Sequence, residues 1–344
     1  MNWNHLPFSS RSTPIGLDIG TRAIKAVQVD GSTTRWAVIP RLTESDAIAP
    51  VDWQKLKRIL HRRGFEGNAV VIAAPAGRLQ TEMLQLPPRS SGAPVDKLAA
   101  AELSRMAKIE AGTFELACWE IPTTSRGGAP SSLAMALRHS DANTITKSTD
   151  SAELTLNAID TPACAVSRAL SQELTPDSVT AVLDVGWSST NITVLHGSTV
   201  IGFRHIADNG LALLHRTIMA DYSLGTEEAE RVMLEVGVSN SATNSESTIT
   251  IPANIATRIR DMIVGQMYGL VSELDASLSF ASHQYPNCSK RQLLLIGGGA
   301  MLDGSAKFWA TRVNCEVRVP RMNTADGYPI NCVIAAGLAL NRAA

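Results

Sequence analysis

Ile15-Gly16-Leu17-Asp18-Ile19-Gly20-Thr21, with Lys25 four residues further on, is the stretch that decides how this chain reads. It has the pattern of a short buried strand that delivers an aspartate into a tight, glycine-containing turn. A second strand, residues 23–29, follows at once. Asp30-Gly31 then forms a two-residue turn into a third strand, residues 35–39, because Asp-Gly between apolar runs supplies the positive φ angles a tight hairpin needs. The same design returns 166 residues later, with Asp184 standing where Asp18 stood. Ala181-Val182-Leu183-Asp184-Val185-Gly186 is again strand, aspartate and glycine; residues 191–195 form the next strand, His196-Gly197 the turn, and residues 200–204 the third strand. One Asp-x-Gly turn is an ordinary surface feature. Two, in the same three-strand setting half a chain apart, predict two similar α/β halves facing each other.

The chemistry of such turns suits phosphates. Backbone N–H groups in a Gly/Thr/Ser turn can converge on an anion, and glycine lets the backbone approach it closely. An aspartate at the end of each strand, Asp18 and Asp184, can hold Mg²⁺ through water, since Mg²⁺ keeps much of its hydration and takes few protein carboxylates. Lys25 can reach a terminal phosphate as a point charge.

Composition narrows the classes. A chain of 344 residues can bury a large core, arranged in two lobes. A formal net charge of −1 argues against general nucleic-acid binding. No run of 18 apolar residues predicts a transmembrane helix, and the first fourteen residues lack the pattern of a secretory signal. The five cysteines (118, 164, 288, 315 and 332) are scattered without a Cys-x-x-Cys pair, which reads as reduced, packed thiols.

Between the two turns the pattern changes. Residues 1–13 read as a loose tail, 51–63 as a helix with a basic end, and 68–74 as a strand. That basic end is either a solvated helix terminus or a weak contact with anionic lipid. From residue 78 to 138 a strand, a helix with apolar residues Val95, Leu98, Ala99, Leu103, Met106 and Ile109, and two further strands form a separate block. The Ser/Thr/Asp-rich residues 141–154 read as a surface connection or a poor helix. Asp160-Thr161-Pro162 then opens a helix. Residues 210–222 and 226–236 form two helices, and 238–248 a loop. The longest helical pattern starts after Pro252 and places Ile259, Ile263, Met267, Leu270 and Leu274 on one face. Residues 292–296 form a buried strand that runs into Gly297-Gly298-Gly299, bare backbone against which a flat base could lie.

These motifs, in this order, resemble the two phosphate loops and the adenosine loop of the actin/Hsp70/sugar-kinase superfamily. Within it the chain is most similar to PilM, the actin-like family of type IV pilus assembly, and to its cell-division cousin FtsA. The resemblance covers most of residues 14–342. It implies an α/β, two-lobed actin/Hsp70-like (duplicated RNase H-like) fold. The expected organisation is a first lobe over 14–160, an inserted small α+β subdomain over about 76–157, and a second lobe over 161–344.

The resemblance implies ATP and Mg²⁺ as cofactors. Asp18, Gly20, Thr21, Lys25, Asp184, Gly186, Ser188, Thr190, Glu230, Gly297, Gly298 and Gly299 would hold the nucleotide, with Asp18 and Asp184 on the metal. In relatives a Glu and a Lys one helical turn apart grip the ribose; here Glu230 is present but Met233 stands at the lysine position, which implies a weaker grip. Asp160 matches the residue that orients the attacking water, one methylene shorter than the usual Gln or Glu, so hydrolysis is expected to be slow or absent. It is equally well placed as a simple helix N-cap. The partner the resemblance implies is the cytoplasmic N-terminal tail of a PilN-like inner-membrane protein. It would be received in a groove lined by Met83, Leu84, Leu86, Leu103 and Met106, or these side chains are the subdomain's own core.

The expected placement is cytoplasmic and peripheral at the inner face of the inner membrane, with self-association open, and with assembly of a type IV pilus or of a related type II secretion system both open. A small-molecule (sugar) kinase is the enzyme alternative, but no Asp in the inserted block is convincingly placed as a base for an acceptor hydroxyl. An FtsA-like membrane-tethered filament protein would require an amphipathic helix after a linker, whereas the sequence ends at Asn341-Arg342-Ala343-Ala344.

Overall fold

Three consecutive strands, β1 (Ile15–Ile19), β2 (Ala23–Asp30) and β3 (Thr33–Pro40), form the predicted antiparallel meander. The computed structural model describes residues 13–45, 47–123, 131–239, 251–288, 290–321 and 327–341. The expectations for the tail up to residue 12 and for the loop residues 240–248 lie outside these. The turn between β2 and β3 is Gly31-Ser32, one residue later than the sequence suggests, since Asp30 pairs with Thr33. Gly31 has φ +56°, a conformation open to glycine without strain.

Helix α1 (Pro50–Arg62) packs Trp53, Leu56 and Leu60 under this sheet. It leads into β4 (Ala69–Ala73), which lies parallel to β1. A block then follows of β5 (Gln80–Gln85), α2 (Val95–Ala107), β6 (Phe114–Glu120) and β7 (Ser131–Arg138), its strands in the order β5-β7-β6.

Residues 141–154, read from sequence as a connection or a poor helix, belong to the regular helix α3 (His139–Ser151). Its hydroxyls bond back to carbonyls four residues earlier (Thr144 to Ser140, Thr146 to Ala142, Thr149 to Ile145, Ser151 to Lys147), so side chains that usually compete with a helix here fold into it. Strand β8 (Thr155–Asp160) completes a five-stranded sheet in the order β3-β2-β1-β4-β8.

The second half repeats this plan. After α4 (Pro162–Ala169), strands β9 (Ser178–Val185), β10 (Thr190–His196) and β11 (Thr199–Ile206) form the second meander. Helices α5 (Ala212–Tyr222), α6 (Thr226–Val236) and α7 (Ala253–Gln284) follow, then β12 (Lys290–Gly297), α8 (Ser305–Ala310), β13 (Glu316–Arg318) and α9 (Val333–Ala339). The second sheet has the order β11-β10-β9-β12-β13, so each sheet is a three-stranded meander extended by two parallel strands. Its turn is Gly197-Ser198, again one residue later than expected, with Gly197 at φ +55°.

The 32-residue α7 buries Ile259, Ile263, Met267, Leu270 and Leu274 as the periodicity predicts, packing them against β9 and β10. A second core is shared by both halves. Val71 of the first sheet, Val182, Leu195, Leu294 and Ile296 of the second, and the buried faces of α4 and α9 meet in one cluster. Two glycines permit this closeness. A Cβ at Gly16 would sit 2.0 Å from the Ala335 carbonyl of α9, and one at Gly337 1.8 Å from the Ala165 carbonyl of α4.

The five residues proposed to line a partner groove do not share a surface. Leu84, Leu86 and Leu103 are buried together in the core between α2 and the small sheet. Met83, their neighbour on β5, points to the opposite face and packs on the core shared by the halves, as the alternation of a strand demands. Of the five, only Met106 is substantially exposed, at 40%.

Candidate functional site

The carboxyl ends of β1 and β9 carry Asp18 and Asp184 into turns with the same hydrogen bond: Gly20 N–H donates to the Ala23 carbonyl at 3.0 Å, and Gly186 N–H to the Ser189 carbonyl at 3.0 Å. Both glycine amides are therefore consumed within their own turns. Each aspartate then faces a polar residue across its hairpin. Asp18 is in register with Lys25, whose Nζ donates to it at 3.0 Å, and Asp184 is in register with Asn191, whose Nδ2 lies at 3.5 Å. Asn191 Oδ1 is in turn 2.9 Å from His205 Nδ1.

The two halves meet electrostatically at these residues. Burial pushes Asp184 up to about 6, and the Asp18 carboxylate adds to the shift while Lys25 and Asn191 oppose it. For Lys25, burial works against the charge, but the bonded Asp18 carboxylate and then Asp184 outweigh it and hold the ammonium above its ordinary value. The site is thus a largely buried pair of carboxylates with one cation, bonded to Asp18 and acting electrostatically on Asp184. Lys25 folds over Gly20, where a Cβ would come within 3.0 Å of Nζ.

The glycine run after β12 closes on the same point. Gly297 has φ +75°, and a Cβ there would lie 2.2 Å from Asp184 Oδ1; one at Gly299 would lie 2.4 Å from the Val185 side chain. Close packing on the end of β9 is thus one reason for these glycines. Gly298 approaches Leu211. Thr190 is buried and its hydroxyl donates to the Asn209 carbonyl, while Ser188 is exposed at the tip of the second turn.

Three features escaped the sequence reading. The first is Arg22, in the first turn. Its Nη2 lies 2.6 Å from Glu230 Oε2 on α6, and its guanidinium stacks 3.9 Å from the centre of the Trp187 ring in the second turn. Trp187 is backed edge-on by His215, 4.9 Å between ring centres, and His215 Nε2 holds the Thr226 carbonyl at the start of α6. The ribose candidate Glu230 therefore faces an arginine from the opposite half, while Met233 is buried in the core of the second half, beside α7.

The second is Arg41, which buttresses the first turn from behind. It donates to the Gly20 carbonyl at 3.0 Å, its own amide to the Arg22 carbonyl at 2.8 Å, and it forms a fully buried pair with Asp52 of α1 at 3.2 Å. Burial opposes the Asp52 charge, but the Leu42 amide and the Arg41 guanidinium outweigh it and hold the carboxyl below its usual range. The third is a set of buried polar atoms without a protein partner: Thr21 Oγ1, Arg22 Nη1 and Trp187 Nε1, all in the two turns. Two of these, the guanidinium and indole nitrogens, are pure donors, so each carries an uncompensated burial cost.

Asp160 stands apart from this cluster. It ends β8 at the same edge of the sheet, but its carboxylate is engaged by Arg168, by Asn341 Nδ2 at 2.7 Å and by the Thr161 amide at 2.7 Å. The helix cap is its neighbour: Thr161 Oγ1 accepts from the Cys164 amide, with Pro162 next in the first turn.

The profile of the family described as type IV pilus assembly protein PilM matches residues 16–327. The chain belongs to the PilM family. The solved PilM-PilN type IV pilus biogenesis complex superposes on this PilM-family chain with a TM-score of 0.72 at 22% identity, covering 96% of this chain and 98% of that one. MreB5 of Spiroplasma citri bound to ADP follows with a TM-score of 0.57 at 13% identity, covering 96% of each chain. The ethanolamine utilization protein EutJ of Carboxydothermus hydrogenoformans gives 0.52 at 16% identity, over 97% of this chain and 91% of that one. At these identities the structural matches speak for the fold, which is the two-lobed actin-like one. Among curated proteins, none matches the chain in sequence. Among the described residues, no helix is long and apolar enough to cross a membrane.

Proposed function

We propose that this PilM-family protein is a nucleotide-dependent adaptor of pilus assembly, with ATP·Mg²⁺ seated between its two aspartate turns. The observation that carries the reading is the Asp18–Lys25–Asp184 cluster, in which two carboxylates from opposite halves share one cation. A divalent ion held through water at Asp18 and Asp184 would relieve their repulsion, and Lys25 could then turn to a phosphate. The unpartnered hydroxyl of Thr21 in the first turn supports the same ligand class. The nucleotide bound by a fold neighbour, MreB5 with ADP, is consistent with it. Gly20, Gly186, Ser188, Thr190, Glu230 and Gly297 to Gly299 would form the walls of this cleft.

Hydrolysis is slow or absent in this reading, because both oxygens of Asp160 are held by protein groups, leaving it poorly free to orient a water. ATP acts as a conformational clamp through its different affinity for open and closed lobes.

The partner is the cytoplasmic N-terminal tail of a PilN-like membrane protein; the solved PilM-PilN complex supports PilN as the partner. On the small subdomain the tail would meet the exposed side chains Leu98 and Met106 of α2 rather than the buried leucines. The protein would sit peripherally on the inner face of the inner membrane.

Calorimetric titration with ATP·Mg²⁺, with and without peptides from the N-termini of PilN-like proteins, tests both halves of the reading. Binding of both ligands with a measurable coupling is the expected result. Phosphoryl transfer to a small acceptor without peptide binding would replace the adaptor by a kinase, and no nucleotide binding would reject the cleft.

A further inference from the structure

The contact of Arg22 with Trp187 and Glu230 joins the two halves at their aspartate turns. Arg22 leaves the first turn and reaches a niche built wholly by the second half: the indole face below it, the Glu230 carboxylate beside it, and His215 wedging the indole in place. The guanidinium suits such a niche because it can stack on a ring and bond to a carboxylate at once. The niche includes Glu230, the side chain that the nucleotide reading assigns to the ribose.

We infer that Arg22 is an interlobe latch: it holds the cleft closed without nucleotide, and it must release Glu230 before a nucleotide can be gripped there. The second half of this statement rests on the nucleotide reading; the first does not. The latch is built to open. The ion pair is only partly buried, with the side chains 20% and 44% exposed, so its strength is modest. Moreover, Arg22 Nη1 and Trp187 Nε1 stay buried without partners while it is shut, a penalty that opening to water removes. A nucleotide therefore competes with a weak internal ligand, and apparent affinity is reduced by the fraction of molecules that are latched.

The test compares the full chain with Arg22→Ala, Arg22→Gln and the charge swap Arg22→Glu/Glu230→Arg. Hydrogen–deuterium exchange is read without nucleotide at amides 186–189 and in α6, segments whose own sequence Arg22→Ala and Arg22→Gln do not change. Exchange there should quicken at least about threefold in both single variants, and the swap should restore it, since removing a partly exposed pair and its ring contact shifts an equilibrium by this order. Titration with a fluorescent ATP analogue should show about threefold to tenfold tighter binding by the single variants.

Unchanged exchange, or a swap that restores nothing, would overturn the latch. Weaker nucleotide binding by Arg22→Ala would overturn it too, by making Arg22 a nucleotide ligand. If neither wild type nor variant binds nucleotide, the nucleotide reading fails and the exchange data alone decide the latch.

Discussion

Lys25 and Asn191 occupy the same place in the two halves, each directly across a hairpin from its aspartate, Asp18 and Asp184. The repeat has kept the geometry and changed the charge. One lysine therefore serves two carboxylates, and its loss should be felt by both. Lys25→Ala together with Asp184→Ala should abolish ATP binding in a fluorescent-nucleotide titration; unchanged affinity would reject the cleft. Lys25→Ala alone leaves Asp18 and Asp184 facing each other, so it should lower the melting temperature more at pH 7.5 than at pH 5, where Asp184 takes up a proton.

The shift of Asp184 to about 6 has a definite sign. The folded protein holds this proton more tightly than the unfolded chain, whose aspartates titrate near 3.9. The stabilisation from protonation is full below about pH 4 and lost as pH rises through about 6. Asp184→Asn should therefore raise the melting temperature by a few degrees at pH 7.5, flatten its decline between pH 4 and 6, and remove Mg²⁺-dependent nucleotide binding. A variant no more stable at pH 7.5 than wild type would contradict the strained carboxylate pair.

Arg41 and Asp52 predict a large and separable effect. Removing one member of a buried ion pair leaves an unpaired charge and destabilises by about 3–5 kcal/mol. Asp52→Ala should show this in denaturant unfolding, whereas Arg41→Met/Asp52→Leu should recover much of it. The double variant should still bind nucleotide poorly, because the Gly20 and Ser45 carbonyls lose their guanidinium donor and the first turn its brace.

Gly16 and Gly337 offer a test of packing alone. Alanine at either would drive a methyl into backbone atoms, at 2.0 Å and 1.8 Å, that cannot move aside as a side chain tip would. Each substitution should destabilise by about 1–3 kcal/mol or more. Gly31→Ala meets no atom and should act only through its positive φ, with a smaller loss. Equal melting temperatures for Gly16→Ala and wild type would show that α9 is not seated on β1.

The features legible in the sequence are those written locally. Strand, aspartate, glycine and hairpin follow one another within about 25 residues, so the duplication could be read from spacing, as could the buried stripe of α7. The PilM resemblance rested on the order of such local signals. What escaped was written at long range. Arg22 and Glu230 are 208 residues apart, and nothing in either neighbourhood names the other. Arg41 reads as an ordinary charged residue until the four acceptors of its guanidinium, the Asp52 carboxylate and the Gly20, Ser45 and Ala47 carbonyls, are seen around it. The packing of the five apolar residues is also legible locally: Met83 and Leu84 are neighbours on a strand and face opposite ways, so Leu84 joins the subdomain core while Met83 packs on the core shared by the halves. Residues 141–154 were undervalued because the propensity of serine and threonine was counted without their bonds back to the helix.

Helix α9 lies against β1, β2 and β4, more than 290 residues downstream of the strand it touches at Gly16. During synthesis, then, the first sheet emerges with one face bare and stays so until nearly the whole second half has left the ribosome. The nascent chain carries that exposed surface until α9 has been made, which makes the first half a natural client for a chaperone and couples the quality of its folding to the arrival of α9.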